Sequence, residues 1–364
     1  MTMSEPIFSP LYPLTALYPL PAQPAGVPWP GAEWPTGPLP DGVDLAGALE
    51  AAFDPEGPLH QTYAVAIVHR GLLVLERYDG LLPQWDKPGK PVVADTPLLS
   101  WSMAKSMLHA VVGMLVGEGL LALDEPAPVP EWREPGDPRG AITLRHLLTM
   151  TDGLDFVEEY EDAESSDVLQ MLFGRGQQDM AGFAADRPLA APPGTRFNYS
   201  SGTSNIISGI VARLLGPGPG YRQFLDDRLF GPLGMTSATA TFDDAGTWVA
   251  ASYAYATARD YARFGLLYLR DGLWEGHRVL PEGWVDDGRT PRSVDPDDGD
   301  YYGSHWWTRE GADGTFWASG HEGQSIDICP RSDLVLVRMG RTDSTRSDAV
   351  KAWRTEVIGA FAGH

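Results

Sequence analysis

The sequence predicts an α+β protein: one antiparallel sheet drawn from both ends of the chain, flanked by helices, with a mainly helical region inserted between. Two patterns carry this. β-rich runs occur near residues 62–78 and again after residue 300, whereas 124–245 shows helical apolar spacing and long loops. Strands at the two chain ends most simply share one sheet. The third observation is size: 364 residues, 43% of them hydrophobic and 12 of them tryptophan, are enough for a large core in one domain or two intimately joined ones.

The elements follow in order. Residues 1–45 are Pro-rich and without period, and read as an arm over the surface or a partly mobile leader. YAVAIVH, an Arg-Gly turn and LLVLERY read as a hairpin. From about 102 to 120 the spacing is helical, with Ser102 near the N-terminal end, where helix N–H groups and the dipole point at it. In ITLRHLLTMTDGL, Thr143 reads as an N-cap and Gly153 as the stop. SGTSNIISGIVARLLG is a helix closed by Gly216, and TARDYARFGLLYLRDG is a helix capped by Thr257. YYGSHWWTR, GTFWASG, SIDICP and DLVLVRMG read as strands, and a helix near 347–361 ends the chain. The expected organisation is a 1–45 arm, a sheet domain from 46–123 and 246–364, a helical domain over 124–245, and an active site between the two.

Composition excludes several function classes. A formal charge of −22 disfavours nucleic acid and anionic membrane as partners. A single cysteine, Cys329, rules out an internal disulfide. No run of 18 apolar residues suggests a membrane span, and the proline-broken start lacks a basic signal-peptide region, so the expectation is a cytoplasmic protein. HExxH, CxxC and GxSxG are absent, so neither a metal nor a cofactor is expected. GPGPG lacks the strand and the Lys-Ser/Thr ending of a phosphate loop.

Lysine usage points to chemistry. Of 27 basic residues only Lys87, Lys90, Lys105 and Lys351 are lysines. A buried lysine can lose its proton, which arginine cannot. Lys87 and Lys90 lie in a Pro/Gly loop and read as solvated, but Lys105 closes Ser102-Met103-Ala104-Lys105 at the head of an apolar stretch. Positions three apart share a helix face, so a hydroxyl nucleophile and an amine base would meet there. An unperturbed lysine titrates about 3.4 pH units above neutrality, so holding it neutral takes roughly 4.6 kcal/mol of desolvation and hydrogen-bond bias.

Two more pieces follow in order: Phe197-Asn198-Tyr199-Ser200-Ser201-Gly202, and Gly320-His321-Glu322-Gly323-Gln324 opening a strand. Together with HLLTMTDGL and PPGTRFNYSSG, they resemble the serine β-lactamase and penicillin-binding-protein superfamily, in particular its class C-like branch of family VIII esterases and 6-aminohexanoate-dimer hydrolases. The resemblance covers roughly 60–355 and implies a β-lactamase-like fold. It implies Ser102 as acylated nucleophile, Lys105 as general base and Tyr199 as proton relay. The backbone N–H groups of Ser102 and Gln324 would form the oxyanion hole. His321, Glu322 and Gly323 would line the pocket. Trp306 and Trp307 read as packing, with Trp307 also a candidate pocket wall. Asp152 reads as a turn residue, and His109 and His146 as structural.

Departures from the family pattern narrow the substrate. Tyr199-Ser200-Ser201 replaces Tyr-x-Asn, and His321-Glu322-Gly323 replaces Lys-Thr-Gly, removing an amide and a lysine that grip a β-lactam. The expectation is therefore a hydrolase of small esters or amides, with a β-lactamase or D-amino-acid peptidase as the alternative and a non-catalytic binding protein as the rival of another class. Residues 157–167 hold six acids (Glu158, Glu159, Glu161, Asp162, Glu164, Asp167) and no base. As a rim to the site they would favour ammonium-bearing or neutral substrates, and Tyr160 would add a hydroxyl to the pocket.

Overall fold

Gln61–His69 (β1) is buried at every position after its first, as a strand covered on both faces must be. It pairs antiparallel with Leu72–Tyr78 (β2) across the Arg70-Gly71 turn, which is the predicted hairpin. Its other edge pairs with a strand from the far end of the chain. In the computed structural model, which describes residues 17–84, 86–309 and 313–364, the sheet has eight strands. The remaining six are Ser293–Val294 (β3), Tyr301–Tyr302 (β4), Trp307–Thr308 (β5), Phe316–Gly320 (β6), Gln324–Cys329 (β7) and Leu334–Arg341 (β8), and the order is β3-β4-β5-β6-β7-β8-β1-β2. Every pairing is antiparallel. The expected α+β architecture, with one antiparallel sheet drawn from both ends of the chain, is therefore present.

Among the described residues ten α-helices cover and extend this sheet: α1 (Ala46–Phe53), α2 (Ala104–Gly117), α3 (Leu144–Leu148), α4 (Asp167–Phe173), α5 (Met180–Ala185), α6 (Ser201–Leu215), α7 (Pro219–Leu225), α8 (Ala258–Leu269), α9 (Trp284–Arg289) and α10 (Ser347–Ala360). Alternation along each strand splits the apolar side chains between two cores. Ala64, Ala66, Val335 and Val337 face α8 and α2, whereas Val65, Ile67, Leu334 and Leu336 face α1 and α10. None of the ten is long and apolar enough to cross a membrane.

The described part of the Pro-rich arm, from residue 17, is bolted to the surface by three buried arginines. Arg289 donates to the Tyr18 carbonyl (2.7 Å), Arg270 to the Pro21 carbonyl (3.2 Å) and Arg263 to the Gly31 carbonyl (2.6 Å). Its first sixteen residues lie outside the described ones.

One helix is shorter than the spacing predicts. Thr143 does cap α3, accepting from the His146 N–H while His146 returns a bond to the Thr143 N–H. This gives His146 its structural role. The helix then stops at Leu148, well before Gly153, because Met150 takes left-handed backbone (φ 55°) and the chain turns inward. Gly153 instead solves a close approach. Its φ is +83°, and a methyl group there would sit 2.2 Å from the Ala191 carbonyl oxygen. Gly153→Ala is expected to cost roughly 2–4 kcal/mol, read as a lower midpoint in chemical denaturation. A change below ~0.5 kcal/mol would contradict this account.

Candidate active site

Ser102 lies in a single 3-10 turn, Trp101–Met103, that runs directly into α2. The turn is strained: Trp101, immediately before the serine, has φ 45°, left-handed backbone that a bulky side chain rarely adopts. The Trp101 ring is held edge-on to His321 (centroids 5.4 Å apart) and tilted against Tyr253 (6.3 Å). Ser102 stays half-buried, while α2 is fully enclosed from Ala104 to Leu115. Lys105 is thus carried one turn onward into the interior, at 2% exposure.

The Lys105 amine faces three oxygens: Ser102 Oγ at 3.0 Å, Ser201 Oγ at 3.1 Å and the Ala251 carbonyl at 2.9 Å. Burial pushes its pKa down to about 8, against a smaller upward pull from Glu158. The surrounding bonds decide which way the protons point. Ser201 Oγ donates to Glu158 Oε1 (2.6 Å), so its oxygen is left to accept from Lys105. A carbonyl only accepts. A neutral amine spends its two N–H groups on Ser201 and Ala251, and its lone pair is left facing the Ser102 hydroxyl. That is the geometry of a general base.

Tyr199 stands across from this pair, with the Lys105 nitrogen 4.9 Å from its ring centroid and its phenol in reach of Ser102. Burial raises the phenol well above its ordinary pKa of 10, and Glu158 and Asp295 raise it further. It is therefore a neutral phenol near pH 7, able to pass a proton but not to start as the base. Its ring is stacked on Trp307 (5.5 Å, 28°) and edge-on to Tyr302 (6.0 Å), so Trp307 walls the tyrosine that borders the serine. Trp306 is buried among Phe264, Tyr268 and Phe316, as packing.

The turn His321–Gly323 joins β6 to β7 and brings Gln324 to the start of β7. It lies against the serine turn: a methyl group on Gly320 would fall 2.4 Å from the Ser100 carbonyl oxygen. The Gln324 side chain is locked, donating to the Gly340 (2.6 Å) and His321 (3.0 Å) carbonyls and accepting from the Gly340 N–H (2.8 Å). Tyr160 stacks on the His321 ring (5.4 Å, 24°), so the acidic loop does border the site. The Tyr160 hydroxyl donates to Glu158 Oε1 (2.7 Å) and not into open space. The Glu322 carboxylate is taken up by Arg341 (3.2 Å). No group of three or more His, Cys, Asp or Glu side chains able to hold a metal ion occurs among the described residues.

With this geometry, comparison with known proteins is decisive for kinship. The description of the β-lactamase family matches residues 58–360. The chain belongs to the β-lactamase family. It is 29% identical over 259 residues to the 6-aminohexanoate-dimer hydrolase of Paenarthrobacter ureafaciens, an alignment covering 66% of this chain and 65% of that one, just under two thirds of the relative. Among solved structures, a Bacillus anthracis protein described as a candidate 6-aminohexanoate-dimer hydrolase superposes with TM-score 0.69 at 24% identity, covering 83% of this chain and 79% of that one. A penicillin-binding-protein homologue from Caulobacter crescentus gives TM-score 0.65 at 17% identity, covering 88% and 99%.

Within this β-lactamase-family site the structure brings together Ser102, Lys105, Tyr199, His321, Gln324, Tyr160 and Trp307 from segments far apart in the chain. Sequence reasoning missed two members. Ser201 was visible only as the residue where the family pattern has an amide, yet it is fully buried and bonded to Lys105. Glu158 was one of six acids, and its signal is that it lies two residues before Tyr160. It satisfies the first free N–H of α6, at Ser201 (2.7 Å), as well as the Ser201 hydroxyl. Nor does the acidic run stand wholly without a base: Asp167 pairs with Arg187 at 3.1 Å, while Glu161, Asp162 and Glu164 remain exposed. Asp152 is the expected turn residue, accepting from the Leu154 N–H (2.9 Å). It also accepts from the Thr203 hydroxyl (2.8 Å), tying the turn to α6, and burial raises its pKa to about 6.

The pH dependence follows from Lys105. Were Lys105 to act as a base, its pKa of about 8 would require it to lose its proton first, so kcat/KM is expected to rise with pH through an acid limb near 8. Glu158 holds that value up, so Glu158→Gln should move the limb to lower pH even as it slackens Ser201. A limb that stays in place or moves upward in Glu158→Gln would contradict this proton arrangement around Lys105.

Proposed function

We propose that this β-lactamase-family protein is a serine hydrolase that cleaves small esters or amides through an acyl-enzyme on Ser102. The observation that carries the proposal is the buried Lys105 amine, 3.0 Å from Ser102 Oγ with its pKa lowered to about 8. Ser102 attacks the substrate carbonyl as Lys105 takes its proton. The backbone N–H groups of Ser102 and Gln324 hold the developing oxyanion. Tyr199 passes a proton to the leaving group, the acyl-enzyme forms, and water then releases the acid.

Charge supports a substrate class. Glu158 and Asp295, on two different loops, both act on the Tyr199 phenol, and the exposed Glu161, Asp162 and Glu164 continue the loop that holds Glu158. Such a rim favours substrates with an ammonium group, or neutral ones, over carboxylates. The dimer hydrolase named above is a relative that fits this reading. The missing lysine of the strand motif, where His321 stands, argues against a β-lactam or D-amino-acid peptide.

Intact-protein mass after brief mixing with p-nitrophenyl butyrate tests the mechanism. The expected result is a butyryl-sized gain and a nitrophenol burst in the wild type, with neither in Ser102→Ala. No adduct with this ester or with a fluorophosphonate would defeat the proposal. Equal turnover of cationic, neutral and anionic esters at low salt would defeat the charge preference, and rapid nitrocefin turnover would favour the β-lactamase alternative.

A further inference from the structure

Arg338 lies in the middle of β8 and is 0% exposed. Among the described residues no carboxylate forms an ion pair with it. Burial and the nearby Arg354 pull its pKa down, but a guanidinium still remains a cation at neutral pH. A buried guanidinium without a counter-ion is a costly arrangement, kept only where its hydrogen bonds are well placed.

One arm of the guanidinium reaches the turn beside the serine and the other is anchored away from it. Nη1 donates to the Gly323 carbonyl at 2.8 Å and, more weakly, to the Glu322 carbonyl at 3.4 Å. Nη2 is anchored by the hydroxyls of Thr342 (2.6 Å) and Thr62 (3.1 Å). The backbone is shaped to admit the group: a methyl at Gly323 (φ +81°) would lie 2.6 Å from Nη1, and one at Gly340 would lie 2.7 Å from Nη2. The Gly323 carbonyl and the Gln324 N–H are the two ends of a single peptide group. A charged donor on the oxygen of a peptide polarises the N–H at its other end and fixes where it points.

We propose that Arg338 is a positioning residue of the oxyanion hole, holding the Gly323–Gln324 peptide in place and strengthening the Gln324 N–H as a donor to the substrate oxygen. The proposal rests on the reading of Ser102 and Gln324 given above. Arg338 touches no reacting atom. It delivers positive charge to the transition state through one peptide, from a side of the sheet that the substrate does not reach, at a distance set before the substrate arrives.

The test is rapid-mixing infrared spectroscopy of the acyl-enzyme formed from carbonyl-13C p-nitrophenyl butyrate, with acylation rates and melting curves taken on the same samples. In the wild type the ester carbonyl band is expected below its frequency in the denatured acyl-enzyme. In Arg338→Gln, which keeps an N–H donor but not the charge, the band should move back toward the denatured position. Acylation should slow by about 10- to 100-fold with KM little changed. Arg338→Lys, which brings the charge to only one set of acceptors, should fall between the two in both readouts, and it carries the test alone if the glutamine variant does not fold. Wild-type band and rate in either folded variant would overturn the proposal. So would a rate loss with no band movement, the signature of a merely structural role. A wild-type adduct whose band sits at the denatured frequency, or no adduct on Ser102, would instead remove the oxyanion-hole reading itself and this proposal with it.

Discussion

Lys105→Arg should abolish acylation, with kcat/KM falling by at least about 10³-fold. The guanidinium keeps its proton at every pH a protein survives, so Ser102 loses its base while the positive charge stays. Lysine is suited to the site because burial has brought its pKa from 10.5 to about 8. That drop corresponds to roughly 3 kcal/mol and leaves about a tenth of the amine neutral at pH 7. Arginine is also larger, and the pocket is tight, with oxygens at 2.9–3.1 Å on three sides. Lys105→Met is therefore the companion variant, similar in length, neutral and free of crowding. Both should show no nitrophenol burst and a folded far-ultraviolet spectrum. More than a tenth of wild-type turnover in either would remove Lys105 as the base.

The second large effect belongs to Tyr199→Phe. The substitution removes one oxygen and leaves the ring stacked on Trp307 and edge-on to Tyr302, so the melting temperature should stay within about 3 °C of wild type. Activity should depend on the leaving group. An amide nitrogen cannot depart without a proton, so amide turnover is expected to fall about 10²- to 10⁴-fold. Nitrophenolate departs unaided, so its burst should be slowed far less. An equal loss on both substrates would recast Tyr199 as a residue that merely shapes the pocket. A loss under tenfold on the amide would remove it from the mechanism.

Much of this was legible in the chain because it depends on local periodicity and on motifs. The β1–β2 hairpin shows in two β-rich runs around Arg-Gly, and the caps of α3 and α8 show in Thr143 and Thr257. Ser102 and Lys105 are three residues apart, so any helix puts them on one face. The family pattern then linked them to Tyr199 and to the His321–Gln324 turn. The early end of α3 was not legible, because Met150 takes positive φ only under tertiary constraint and Gly153 is required by the approach of Ala191.

The sequence by itself determined the α+β class, the placing of Ser102 and Lys105 on one helix face, and the family whose pattern brings Tyr199 to them. These rest on spacing along one helix and on residue types that few other chemistries use. Only the tertiary structure decided which acid out of six matters, which serine completes the lysine's shell, and which arginine backs the turn at Gln324. Glu158, Ser201 and Arg338 reach the site from a loop, a helix start and a strand that are far apart in the chain. A proton's direction along that shell depends on which oxygen is already committed elsewhere, and such commitments exist only once the segments are packed together.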